Sequence, residues 1–343
     1  MPQRHRGLVP ILTELGNAMI RELLLKTVVA AALIASMSNA VALAAAKGSK
    51  VILLTVTNEC DYCARHGRAF REEASKLGLN VETKINNFDA AEQANQVDQA
   101  IAENPAGIVI FPADSRAVVP SLKKIKQAGI PVVVTNSKPD DQYADLWNVF
   151  VGPDDIGNGK SAGKAMIEGF AKKDSGTSGK IFVVEGVPGT PPQIQRLEGF
   201  KQVLASQAPG IEIAGVQPGN WDQPHATDAA AALFTQVGPT VKGVYAQNDS
   251  MMAGVIVAAQ RAGLDPSKLA LVGSNCSAEG VSAIKAGTQY ATVLQSPIED
   301  GAFAARAMAD LLDGKKLEKT IFLAKEIVTK DNLSICDAAN AAE

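Results

Sequence analysis

From Lys50 onward, short β-branched runs alternate with stretches whose apolar residues recur every three to four positions, the pattern of parallel strands joined by covering helices. Strands are predicted at Val51–Thr57, Val81–Asn86, Gly107–Phe111 and Pro131–Thr135, with helices at Ala64–Leu77, Ala90–Glu103 and Val118–Ala128. Gly78 and Gly129 stand where two of these helices must stop. A second series places strands at Lys180–Glu185, Ile211–Val216, Gly243–Ala246, Leu269–Ser274 and Ala291–Leu294. Its helices are Gln193–Ser206, Ala226–Val237, Asp249–Ala262 and Ala278–Ala286.

Between the two series, Gly152-Pro153-Asp154-Asp155 breaks the alternation ahead of a long helical stretch, Ile156–Ala171. Near the end come a helix over Glu299–Leu312, stopped by Gly314, and a strand over Ile321–Val328. The expected fold class is α/β: two doubly wound parallel-sheet lobes joined by hinge crossovers. One lobe comprises 49–153 plus 296–324, the other 154–295 plus 325–337.

The first 46 residues follow another pattern. Arg21 and Lys26 precede an uncharged stretch, Thr27–Ala46, interrupted by Ser36, Ser38 and Asn39 and ending in small residues around Ala42-Leu43-Ala44. This reads as a cleaved signal peptide, with Met19 a better start than Met1, and implies a periplasmic protein. Composition agrees with a globular chain: 343 residues, 46% apolar, 20% charged and a net charge of -3, with no basic block for nucleic acid.

In open α/β sheets, ligands bind beyond the carboxyl ends of the strands. Asn136, Asn248, Asn275 and Gln295 all fall there, and a carboxamide both donates to and accepts from a hydroxyl. Tyr62, Phe111 and Trp221 also follow strands, although aromatic residues make up only 5% of the chain. Flat rings beside amides suit the C–H faces of a sugar or polyol. Asn and Asp are also common after strands as helix caps, the role expected of Asp249.

At these residues the sequence resembles the ribose-binding branch of the periplasmic sugar-binding proteins, over about Lys50 to Leu333. The segments that carry the resemblance are Ala246-Gln247-Asn248-Asp249 with Met251 and Gly254, Arg196-Leu197-Glu198-Gly199-Phe200, Trp221-Asp222, and Leu271-Val272-Gly273 before Asn275. The resemblance implies a type I periplasmic binding protein fold and the substrate-binding role in an ABC importer, with a sugar, polyol or sugar derivative held between lobes that then dock on a membrane permease. It implies a ligand site of Cys60, Tyr62, Cys63, Phe111, Asn136, Ser137, Arg196, Trp221, Asn248, Asn275 and Gln295. A monomer is expected, with no cofactor, no metal and no catalytic residues.

The departures matter as much. Sugar binders of this branch usually place Asp-Arg where this chain has Asn136-Ser137, Asp where it has Asn275, and Asn where it has Phe111; Cys60 and Cys63 replace an Asn and aromatic pair. Arg196 therefore needs an anion, either an acidic ligand or a carboxylate from Glu185 or Asp154. The four cysteines are compatible with two disulfides, whose three possible pairings the sequence does not separate; a Cys60–Cys63 bond would shape the binding loop and a bond from Cys336 to Cys276 would pin the tail. Two other functions use the same residues: a receptor feeding a chemotaxis or quorum-sensing membrane protein, and a periplasmic thiol oxidoreductase built on Cys60 and Cys63. His66 near Cys63 is a weak metal-ligand candidate.

Overall fold

A computed structural model describes residues 46–173 and 176–340, so the signal-peptide reading lies outside the described residues, save Ala46. In the first lobe, strands β1 (Lys50–Thr55), β2 (Asn80–Ile85), β3 (Gly107–Ile110), β4 (Val132–Thr135), β5 (Val149–Gly152) and β11 (Thr320–Phe322) form a parallel sheet in the order β11-β5-β4-β3-β1-β2. Helices α1 (Asp61–Lys76), α2 (Ala90–Ala102), α3 (Val118–Gln127) and α9 (Pro297–Leu312) cover it.

In the second lobe, β6 (Gly179–Glu185), β7 (Ile211–Pro218), β8 (Val241–Ala246), β9 (Ala270–Ser274), β10 (Ala291–Val293) and β12 (Ile327–Val328) are ordered β12-β10-β9-β8-β6-β7. Only the short β12 runs antiparallel to its neighbour. Helices α4 (Asp155–Lys172), α5 (Pro191–Gln207), α6 (Gln223–Val237), α7 (Asp249–Arg261) and α8 (Ala278–Ala286) pack on its faces, and a last helix, α10 (Ser334–Asn340), follows β12.

Central strands such as β3, β4 and β9 are buried along their whole length, which is why they read as unbroken apolar runs rather than alternating ones. Each face of each sheet has its own apolar core, one built around Phe70 and Met308 and another around Phe170 and Phe200. Close helix packing depends on glycine: a Cβ on Gly159 or Gly199 would sit 2.1 Å from a backbone carbonyl oxygen of the partner helix, fixing the α4–α5 approach.

The chain passes between the lobes at 152–155, 294–297 and 322–327. The run Ile321–Val328, expected as one strand, is instead two: Phe322 ends β11 in the first sheet and Ile327 opens β12 in the second. An apolar pattern over eight residues cannot reveal that its two halves pair with different sheets. At this crossover Lys325 forms an ion pair with Asp154, which also caps α4 through the Gly157 amide.

Candidate ligand-binding site

The cavity lies where the carboxyl ends of the two sheets face each other. It holds about 430 Å³ of unfilled space, open solvent at its mouth included. Every residue of the ligand site that the resemblance implies lines it. The first lobe supplies Cys60, Tyr62, Cys63, Phe111, Asn136 and Ser137, and the second Arg196, Trp221, Asn248 and Asn275, with Gln295 at a crossover. Four further residues complete it: Phe88, Pro112, Thr190 and Pro192. Phe111 follows β3 directly, whereas Phe88 lies three residues past the end of β2, behind Asn86 and Asn87, so inspecting only the residue after each strand passes it by. It packs against both the core containing Trp221 and the one containing Cys60 and Phe111, bridging the lobes.

Backbone conformation sets these side chains. Phe88, Asn136, Trp221 and Asn275 have φ of 62°, 62°, 68° and 98°, in the left-handed region that costs a side-chain-bearing residue about 1–3 kcal/mol. Such strain survives only where the surroundings over-determine it. For Trp221, the Asn248 Nδ2 donates to its carbonyl at 3.1 Å, and Gly186 leaves room for the indole: a Cβ there would lie 1.9 Å from the ring.

Asn248, not Asp249, is the N-cap of α7; its Oδ1 accepts from the Met251 amide at 2.8 Å. Asp249 is fully buried behind it, where it accepts from Gln289 Nε2 at 2.8 Å, Thr292 Oγ1 at 2.9 Å and the Ser277 amide at 3.0 Å. It thereby ties α7 to the loop that carries Asn275. Burial pushes its carboxyl up to about 7.

Arg196 takes its anion from neither Glu185 nor Asp154 but from Asp155, whose Oδ1 accepts from Nε at 2.8 Å. Its other nitrogens donate to the Gln247 carbonyl and to Gln295 Oε1, each at 2.7 Å, and the guanidinium lies 5.6 Å from the Trp221 ring centroid. Burial raises Asp155 to about 6, and the Arg196 guanidinium pulls against that rise. Glu185 instead accepts from Gln193 Nε2 at 2.8 Å.

A second buried carboxylate that sequence reasoning missed is Asp300, near the start of α9. It accepts from Tyr62 Oη at 2.9 Å, Asn136 Nδ2 at 3.0 Å and Thr135 Oγ1 at 3.3 Å. Burial pushes it up to about 7. His66 hydrogen-bonds Thr135 Oγ1 at 3.0 Å, and burial holds it neutral, down to about 3. Among the described residues no group of three or more His, Cys, Asp or Glu side chains could hold a metal ion.

Facing the cavity, Ser137 Oγ and Asn275 Oδ1 are buried without a hydrogen-bond partner. Such atoms incur a desolvation cost that a ligand hydroxyl would relieve. Cys60 and Cys63 form a disulfide, 8% and 3% exposed, and Cys276 is bonded to Cys336.

Residues 30–316 match the model of the periplasmic binding protein domain. The chain belongs to that family. It is 28% identical over 294 residues to the ribose import binding protein of Salmonella typhimurium, covering 83% of this chain and 94% of the relative. It is 28% identical to the xylitol-binding protein of Mycolicibacterium smegmatis over 76% of this chain and 74% of the relative. Among solved structures, an ABC transporter solute-binding protein of Bacillus halodurans with bound myo-inositol superposes with a TM-score of 0.76 at 25% identity, over 85% of this chain and 99% of that one. These relatives are solute-binding proteins, not enzymes, so the oxidoreductase alternative does not stand. Among the described residues no helix is long and apolar enough to cross a membrane.

Proposed function

We propose that this periplasmic binding protein captures a small, neutral, polyhydroxylated ligand between its lobes and presents it to the permease of an ABC importer. The observation that carries this reading is the chemistry of the cavity. Amides and a hydroxyl from Asn136, Ser137, Asn248, Asn275 and Gln295 converge on a space walled by rings, while the one cation there is neutralised by Asp155. Three of the five Arg196 N–H donors serve the protein, and the others can donate to a hydroxyl without requiring a charged ligand. An acidic ligand thus loses the argument that favoured it. The sugar and polyol names of the relatives agree with a neutral polyhydroxylated cargo.

In this reading the three crossovers act as the hinge, the chain works as a monomer in the periplasm, and no chemistry is performed. Isothermal titration and thermal shift against pentoses, hexoses, inositols and linear alditols provide the test. At least one should bind with 1:1 stoichiometry and raise the melting temperature. Silence across the whole panel would sink the reading.

A further inference from the structure

The cavity's polar groups are unevenly distributed. Those facing the ligand sit beyond β4, β6, β8, β9 and β10, as Asn136, Ser137, Arg196, Asn248, Asn275 and Gln295. The loops beyond β1 and β3 present Cys60, Cys63, Phe111 and Pro112, and the loop beyond β2 presents Phe88. Tyr62, the one hydroxyl on this side, is turned to Asp300.

The backbone of this side is committed as well. Gln93 Nε2 donates to the Phe111 carbonyl at 2.9 Å, Gln93 Oε1 accepts from the Ala113 amide at 3.1 Å, and the Phe111 amide donates to the Leu54 carbonyl. A disulfide has no donor, and the Cys60 sulfur already accepts from the Cys63 amide at 3.2 Å. A ligand hydroxyl pressed against the disulfide or the Phe111 ring would lose its water and find no donor there, whereas a methyl or methylene would lose nothing; only the Tyr62 oxygen, which keeps its lone pairs while donating to Asp300, could accept from a hydroxyl on this side.

We infer that the Cys60–Cys63 disulfide, with Phe111, is a specificity-determining wall that selects a polyol or sugar carrying a deoxygenated carbon. This rests on the proposed function, since it specifies one edge of that ligand.

The test compares matched pairs that differ by one hydroxyl: D-galactose with 6-deoxy-D-galactose, L-mannose with 6-deoxy-L-mannose, and D-ribose with 5-deoxy-D-ribose. Each sugar is titrated into the oxidised protein. The deoxy member of at least one pair should bind about tenfold tighter or more, a difference of about 1.4 kcal/mol. If in every pair the fully hydroxylated sugar binds equally or better, the wall is not selective and this inference falls, while the proposed function stands. If none of the six binds and the alditols and inositols also fail, both fall; if only those others bind, this inference alone falls.

The double variant Cys60→Ser/Cys63→Ser then puts two hydroxyls on the wall. Cys60 is the N-cap of α1, a position serine fills well, so the helix start is retained. The deoxy preference should drop below about threefold. A preserved tenfold preference in the folded variant would overturn the assignment. Phe111→Asn, which adds an amide to the same wall and leaves the disulfide in place, gives the same readout should the double variant not fold.

Discussion

Arg196 Nε lies 2.8 Å from Asp155 Oδ1, and both residues are buried behind the cavity that Arg196 lines. The arginine is therefore as much part of the second lobe's interior as of the cavity wall. It joins α5 to the start of α4, to the end of β8 and to Gln295 at a crossover.

Arg196→Met should accordingly destabilise the protein by about 3–5 kcal/mol, because it leaves a buried carboxylate without its cation. Adding Asp155→Asn should recover part of that loss. Urea unfolding of the two single variants and the double variant gives the coupling. An Arg196→Met protein as stable as the parent would mean the pair contributes nothing to the fold.

Ser137→Ala removes an oxygen that has no partner in the protein. Folding stability should stay within about 0.5 kcal/mol of the parent. Ligand affinity should fall by about twofold to tenfold, the effect of one neutral hydrogen bond, as read by titration calorimetry.

Asp300, raised to about 7 from an ordinary 3.8, makes stability depend on pH. Between those values the folded chain holds a proton that the unfolded chain has released, so stability falls as pH rises through the window and levels off above about 7. Asp249 and Asp155 act in the same direction, while His66, held down to about 3, opposes them below its ordinary 6.5. Asp300→Asn removes one contribution and leaves the rest. The variant should lose fewer degrees of melting temperature than the parent between pH 5 and pH 8; equal losses would show that Asp300 does not titrate there.

The Cys276–Cys336 bond closes a separation of 60 residues, against 3 for Cys60–Cys63. Chain-entropy reasoning assigns the long loop about 4 kcal/mol and the short one about 2 kcal/mol. Cys276→Ser/Cys336→Ser should therefore lower the urea midpoint more than Cys60→Ser/Cys63→Ser does.

The architecture and the amide-lined cavity were legible because strand ends follow directly from the apolar pattern, and the residue after a strand can be named without knowing its neighbours. The polar support behind the cavity was not. Asp155 was read as part of a breaker and Asp300 as one position in a helix, since their partners Arg196 and Tyr62 lie 41 and 238 residues away along the chain. Which acid answers a buried arginine depends on helix packing, and Asp154, one residue from the true partner, turns outward to Lys325. The cap at Asn248 was misplaced by one residue for a similar reason: both Asn248 and Asp249 are capping types, and only burial separates them.

The crossovers also bear on the order in which the protein can assemble as it emerges from N- to C-terminus. β1 to β5 appear first, but β11, which pairs with β5, and α9, which packs along α1, come only after the whole second sheet except β12. Until then Phe70 and the inner faces of β4 and β5 lack their cover. The lobe synthesised first thus waits for its covering helix until all of the second sheet but β12 has emerged, and a chain truncated before Pro297 would expose that uncovered sheet face rather than yield a smaller stable protein.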